Sequence, residues 1–157
     1  MFDVPFKPKA YHSLTPYLII KGAAEAIDYY TKAFDGKEVM RLDMPGGIIG
    51  HAEVRIGDSI VMMADEFPEL DYLGPKSIGG SGSSLMIYTK DADAMFNKAV
   101  ELGAKVLKPL ADQFYGDRMG MLEDPFGHKW SIATHIEDVT PEQVKERMAK
   151  MCPPAVE

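Results

Sequence analysis

Two residues apart in the stretch His51-Ala52-Glu53-Val54-Arg55, an imidazole and a carboxylate share one face if the segment is extended. That pairing suits a general acid–base couple or two ligands of a metal ion, and His51 and Glu53 are the catalytic candidates. The plainer reading is a hydrogen-bonded pair on the wall of a sheet. His135 and Glu137 repeat the spacing, but there they lead into the capping residues of a last helix. His128 falls in a turn and reads as a solvated turn residue, and His12 has no evident partner. In Tyr115-Gly116-Asp117-Arg118 the arginine offers a planar fork that can hold a carboxylate or phosphate in two parallel bonds, with Tyr115 stacked beside it. The competing reading is a structural ion pair between Asp117 and Arg118. No Ser–His–Asp order or nucleophile elbow is present. The Gly/Ser run at 74–84 lacks the order of a phosphate-binding loop.

Elements must position these groups, and the chain writes most of them twice. Ala23, Ala26, Ile27, Tyr30 and Phe34 draw one apolar helical stripe, and Gly36 just beyond suits a left-handed stop. Ala92, Met95, Ala99 and Leu102 draw a second stripe, with Asp91 as N-cap and Gly103 as stop. Short apolar runs precede each helix at 17–20 and 85–88. Alternation and β-branched content predict strands near 38–43, 49–56 and 59–64, then 105–111, 118–123 and 129–134. Gly57-Asp58 and Asp124-Pro125-Phe126-Gly127 are the hairpin turns between them. The pattern is therefore strand–helix–strand–strand–strand, repeated at an offset of about 70 residues. Trp130 precedes Ser131 on the last strand, so if Ser131 faces a cleft, Trp130 packs against a helix or another subunit. Phe67, Tyr72 and Phe114 lie in loops and read as lid or clasp residues. After His135, Thr140-Pro141-Glu142-Gln143 opens a last helix through a capping box, ending near Met151 before Cys152-Pro153-Pro154.

The remaining counts bound the class. The chain has 157 residues, 46% hydrophobic and 26% charged, with a formal net charge of −7. That is globular composition without the basic footprint of a nucleic-acid binder or a peripheral membrane protein. One cysteine excludes an internal disulfide and a thiolate cluster. No long apolar run spans a bilayer and no basic-then-apolar leader opens the chain, so the expected setting is cytoplasmic. The eleven methionines, Met62-Met63, Met119 and Met121 among them, suit either an adaptable cleft or core filling.

The duplicated pattern, the phrases Ala26-Ile27-Asp28-Tyr29-Tyr30 and Asp124-Pro125-Phe126-Gly127-His128-Lys129-Trp130, and the stretches His51 to Ser59, Tyr115 to Arg118 and Thr134 to Glu142 resemble the vicinal-oxygen-chelate superfamily. This is the group of glyoxalases, bleomycin-resistance proteins and extradiol dioxygenases, and the similarity is strongest to its PhnB-like branch. The resemblance implies an α+β fold of two βαβββ modules curled into half-barrels around a cleft. It organises the chain as an arm at 1–13, a domain of two modules at 14–66 and 83–138 joined by a linker at 67–82, and a helix and tail at 139–157. Metal-dependent members carry His or Gln on a module's first strand and Glu on its last. Carried over by module symmetry, the four positions fall on Thr15, Val61, Ser84 (or Ser83) and Ser131. None of these is a good ligand for a divalent transition metal, so no metal and no cofactor are expected. The expected ligand site is a cleft lined by those four residues, with Tyr115 and Arg118 nearby. The resemblance implies a small-molecule-binding homodimer that sequesters or weakly transforms a metabolite or drug. The alternatives are a metal-dependent lyase or dioxygenase using His51, Glu53 and His135, and a non-catalytic structural or regulatory dimer.

Overall fold

The computed structural model describes residues 4–151, so Cys152 and the two prolines after it lie outside the described residues. The first module runs β1 (Tyr17–Ile20), α1 (Ala23–Ala33), β2 (Lys37–Met44), β3 (Ile48–Ile56) and β4 (Ser59–Asp65). The second runs β5 (Ser84–Tyr88), α3 (Ala92–Glu101), β6 (Lys105–Asp112), β7 (Asp117–Glu123) and β8 (Lys129–His135). Each makes a four-stranded mixed sheet, ordered β1-β4-β3-β2 and β5-β8-β7-β6. The first and last strands of each module pair in parallel and the rest are antiparallel. The α+β architecture of two βαβββ modules follows, and the sheets do not join into a closed barrel. No helix among the described residues is long and apolar enough to cross a membrane.

Alternation gives most strands two characters, although β2 is exposed throughout. Leu18, Ile20, Val54, Met63, Leu122, Trp130 and Ile132 are buried on the face that packs against α1 and α3. The intervening residues, among them Tyr17, His51, Glu53, Met86, Tyr88 and Ser131, lie on the opposite, open face. Trp130 does pack toward the helices, against Phe34 and Tyr30 at ring-centroid distances of 4.8 and 5.3 Å. The modules meet helix to helix rather than sheet edge to sheet edge: α1 lies on α3, and Tyr29 donates to the Ala99 carbonyl at 3.0 Å.

Asp124 fixes this junction. Its Oδ2 accepts from Tyr30 Oη at 2.7 Å and Trp130 Nε1 at 2.8 Å, while Oδ1 accepts from the backbone N–H groups of Phe126 and His128, both at 2.9 Å. A carboxylate that is 3% exposed is tolerable only with such donors around it. His128 corrects the sequence expectation of a solvated turn residue. It is buried, and Nε2 lies 3.1 Å from the Ile19 carbonyl of β1.

Helix ends hold further differences. Asp91 caps α3 as expected, accepting from Ala94 N at 2.9 Å. The capping box of α4 (Pro141–Met151) forms through Thr140 and Gln143. α1 instead begins at a left-handed Gly22, and Asp65 at the end of β4 accepts from the N–H groups of Gly22, Ala23 and Ile49. The left-handed residue after α1 is Asp35, at φ +51°, not Gly36. Gly36 is needed for a different reason, because a Cβ there would press on Val54 and the Tyr30 carbonyl. The linker expected at 67–82 carries structure over 67–78. Phe67 and Tyr72 bridge across a 3₁₀ turn at Pro68–Leu70, and α2 (Pro75–Ile78) follows with Pro75 buried.

Candidate functional site

Each open face centres on one buried carboxylate. On the first sheet it is Glu53, 5% exposed. Tyr11, carried in by the N-terminal arm, donates to both carboxylate oxygens at 2.6 and 2.7 Å. His51, two residues along β3, places Nε2 at 3.1 Å from Glu53 Oε1. In the neutral imidazole Nε2 then carries the hydrogen, and Nδ1 is left to accept from Tyr17 Oη, 3.0 Å away. The result is a chain, Tyr17 to His51 to Glu53, whose outer end is the half-exposed Tyr17 of edge strand β1. Partial burial and the neighbouring Tyr72 raise the Tyr17 hydroxyl above its ordinary range, so it keeps its proton. Tyr11 is raised too, chiefly by its bond to Glu53. The arrangement can fix a polar ligand group at Tyr17 and pass a proton along the chain.

On the second sheet the carboxylate is Asp117, 4% exposed. It accepts from Tyr88 Oη at 2.7 Å and pairs with His135 Nδ1 at 2.8 Å, while His135 Nε2 reaches Asp138 at 3.0 Å. Hydrogen bonds to Asp138 and then to Asp117 raise the His135 pKa, favouring the imidazolium. Tyr115 stands near, its hydroxyl pKa raised first by partial burial and then by the Asp117 charge. Phe114 meets the Tyr115 ring edge-on at 5.2 Å.

The remaining candidates separate. Arg118 does not pair with Asp117. Its fork closes on Asp93 of α3 through Nε at 2.6 Å and Nη2 at 2.7 Å, and Nη1 reaches Asp112 at 3.0 Å. Adjacent strand residues point opposite ways, so Asp117 turns to the open face and Arg118 to the helix side. Thr15 donates to the His12 carbonyl at 2.9 Å just before β1. Ser84 is exposed at the start of β5, and Ser131 lies buried between Met86 and Met121 on the open face. Val61 is a correction: it faces the helix-packed core. The turns explain the slip. Two residues, Gly57-Asp58, separate β3 from β4, whereas 124–128 separate β7 from β8, so matching Gly57 to Gly127 misplaces β4 by one residue. A slip of one exchanges the faces of a strand. The register pairs Tyr17 with Met62 and Met86 with Ser131, making Met62 the true counterpart of Ser131.

Neither the expected four residues nor the register-corrected Tyr17, Met62, Met86 and Ser131 supply an imidazole or a carboxylate. Among the described residues no group of three or more His, Cys, Asp and Glu is placed to hold a metal ion. These positions do not fit a divalent transition metal. His51 and Glu53 were legible as a pair from their spacing. Tyr17 and Tyr88 were missed, although each alternates with buried residues on an edge strand, which was the available signal. Tyr11 carried none, since its partner lies 42 residues away.

A fold of duplicated βαβββ sheets with polar groups gathered on the open faces defines a class, and the sequence comparisons agree. A pattern described as the Glyoxalase/Bleomycin resistance protein/Dioxygenase superfamily matches residues 12–132, and the chain belongs to that superfamily. It is 38% identical over 140 residues to Rv0887c, an uncharacterized protein of Mycobacterium tuberculosis, covering 87% of this chain and 82% of that one. Protein PA1353 of Pseudomonas aeruginosa superposes with a TM-score of 0.67 at 28% identity, over 80% of this chain and 99% of that one. The PhnB protein of Bacillus cereus (TM-score 0.61, 24% identity, 78% and 99% covered) shares the fold. So does the fosfomycin resistance protein FosX of Listeria monocytogenes (TM-score 0.62, 14% identity, 85% and 97% covered).

Proposed function

We propose that this chain is a metal-independent small-molecule-binding protein of its superfamily, holding its ligand against the open sheet faces and working as a homodimer. One observation carries the reading. Glu53 sits almost fully buried on a face that packs against no helix, and its donors end at the exposed hydroxyl of Tyr17. A core has no use for an ionisable chain of this kind, whereas a ligand site needs a few convergent polar groups among apolar walls. Met62 and Met86 at the register-matched positions supply adaptable walls. Ser84, Ser131, Thr15 and Tyr115 would add hydroxyls, and the bonds of Arg118 to Asp93 and Asp112 support a scaffold role for it.

The test is a thermal-shift screen of carboxylated, phosphorylated and aromatic metabolites on wild type, His51→Ala, Glu53→Gln and Arg118→Ala. Hits should vanish in the first two variants and persist in Arg118→Ala. Hits that persist unchanged in both His51→Ala and Glu53→Gln would overturn the site. Metal analysis separates the rival metal-dependent lyase or dioxygenase: a stoichiometric ion that survives dialysis and is lost in His51→Ala would establish it.

A further inference from the structure

We propose that the crevice between the two modules is a second ligand site, for a small apolar molecule with a cationic end. The crevice has a volume of about 750 Å³, within the range that encloses a drug-sized molecule. Phe34, Val61, Met95 and Trp130 form its apolar wall, drawn from α1, β4, α3 and β8. Val61 and Trp130 belong to the helix-packed side of their sheets, so this space lies away from the Glu53 face. Along one flank runs β5, an edge strand whose outer backbone edge has no neighbouring strand within its sheet. Met86 and Met95 provide unbranched thioethers that reshape around a guest.

The rim sets the chemical class. Asp35 and Asp58 are the only charged side chains among the described residues that line the crevice. Both are well exposed, with side-chain accessibilities of 76% and 89%, and their partners Lys98 and His12 stand outside the lining at 3.4 and 4.0 Å. Asp35 is also one of two non-glycine residues with positive φ among the described residues. An apolar body therefore enters along the exposed Leu14 and Met86, in front of the buried Trp130, and an ammonium group remains at the two carboxylates.

Trp130 is the sole tryptophan, so its emission reports occupancy directly. The probes are phenylbutylamine, phenylbutanol and phenylbutyrate, which share one apolar body and differ in the charge at its end. The amine should change Trp130 emission saturably at one equivalent and bind about three- to fivefold tighter than the alcohol, the scale of an exposed charge pair. The carboxylate should bind weakest. Asp58→Asn and high salt should both narrow the gap between amine and alcohol. Ser59→Phe, which fills the crevice from its rim, should abolish binding. Methyl-labelled methionine NMR supplies a readout needing no variant: Met95 should shift with the amine while Met62 on the Glu53 face stays still. Equal binding of the three probes, or no saturable response, would overturn the proposal. So would shifts at Met62 in place of Met95, or loss of the amine response in Glu53→Gln, which would put the probe on the Glu53 face and leave the reading of that face standing.

Discussion

Removing the Asp124 carboxylate strands four donors at once, two from side chains and two from the backbone. Asp124→Ala should therefore destabilise by about 3 kcal/mol or more, and Tyr30→Phe, which deletes one donor to a charged acceptor, by about 1.5–3 kcal/mol. Urea midpoints with unchanged slopes would measure both. His135 gives a pH dependence whose sign is fixed by its surroundings. Asp138 and Asp117 raise its folded pKa above the ordinary 6.5. Its contribution is thus fully present below about pH 6.5 and is lost as pH rises through the elevated folded value. The stability difference between wild type and His135→Gln should be larger at pH 5.5 than at pH 8.5. Urea titrations at the two pH values check this, and a difference that grows toward alkaline pH would contradict the Asp117–His135–Asp138 arrangement.

At the scale of elements, the corner where β8 leaves for α4 depends on Gly116. Its carbonyl accepts from the N–H groups of Ile136 and Glu137, its φ is +96°, and a Cβ would collide with the Glu137 carbonyl oxygen. Gly116→Ala should cost about 3 kcal/mol and loosen α4, visible as faster amide exchange over 141–151. Such features mark the boundary of what the sequence makes legible. Helices α1 and α3 and the strand pattern follow from local periodicity, and the cap of α3 from Asp91, three residues before its donor. Asp65 as the cap of α1, the Tyr11–Glu53 contact and the His128–Ile19 contact join positions 42, 42 and 109 apart, beyond any local pattern. The face of β4 was lost differently. Its residues alternate legibly, but the phase rests on comparing two turns of unequal length, and one residue exchanged Val61 for Met62.

The whole molecule leaves apolar surface uncovered. Val39, Met40, Leu42 and Met44 on edge strand β2 and Ile48 on β3 are exposed, as are Tyr17, Met86 and Tyr88 on the edge strands of both sheets. Edges of this kind pair with another chain or must be shielded. The expected state is a homodimer burying more than about 1,000 Å² in total. Sedimentation equilibrium at tens of micromolar checks it, and Leu42→Lys on the exposed strip should shift the protein toward monomer. A wild-type protein that stays monomeric would count against the dimer.

The Asp124 junction has a consequence for how the duplicated halves come apart. Each βαβββ unit owns a sheet and a helix, yet the first supplies Tyr30 and the second supplies the acceptor that Tyr30 needs. If either half opened alone, it would expose the Phe34–Trp130 contact and leave a buried hydroxyl or carboxylate without its complement. The internal symmetry is therefore not a symmetry of folding: the two halves should form one cooperative unit. Slow amides in β3 and β7 should share a single opening free energy, and a chain cut between residues 79 and 83 should melt in one transition as long as its fragments remain associated.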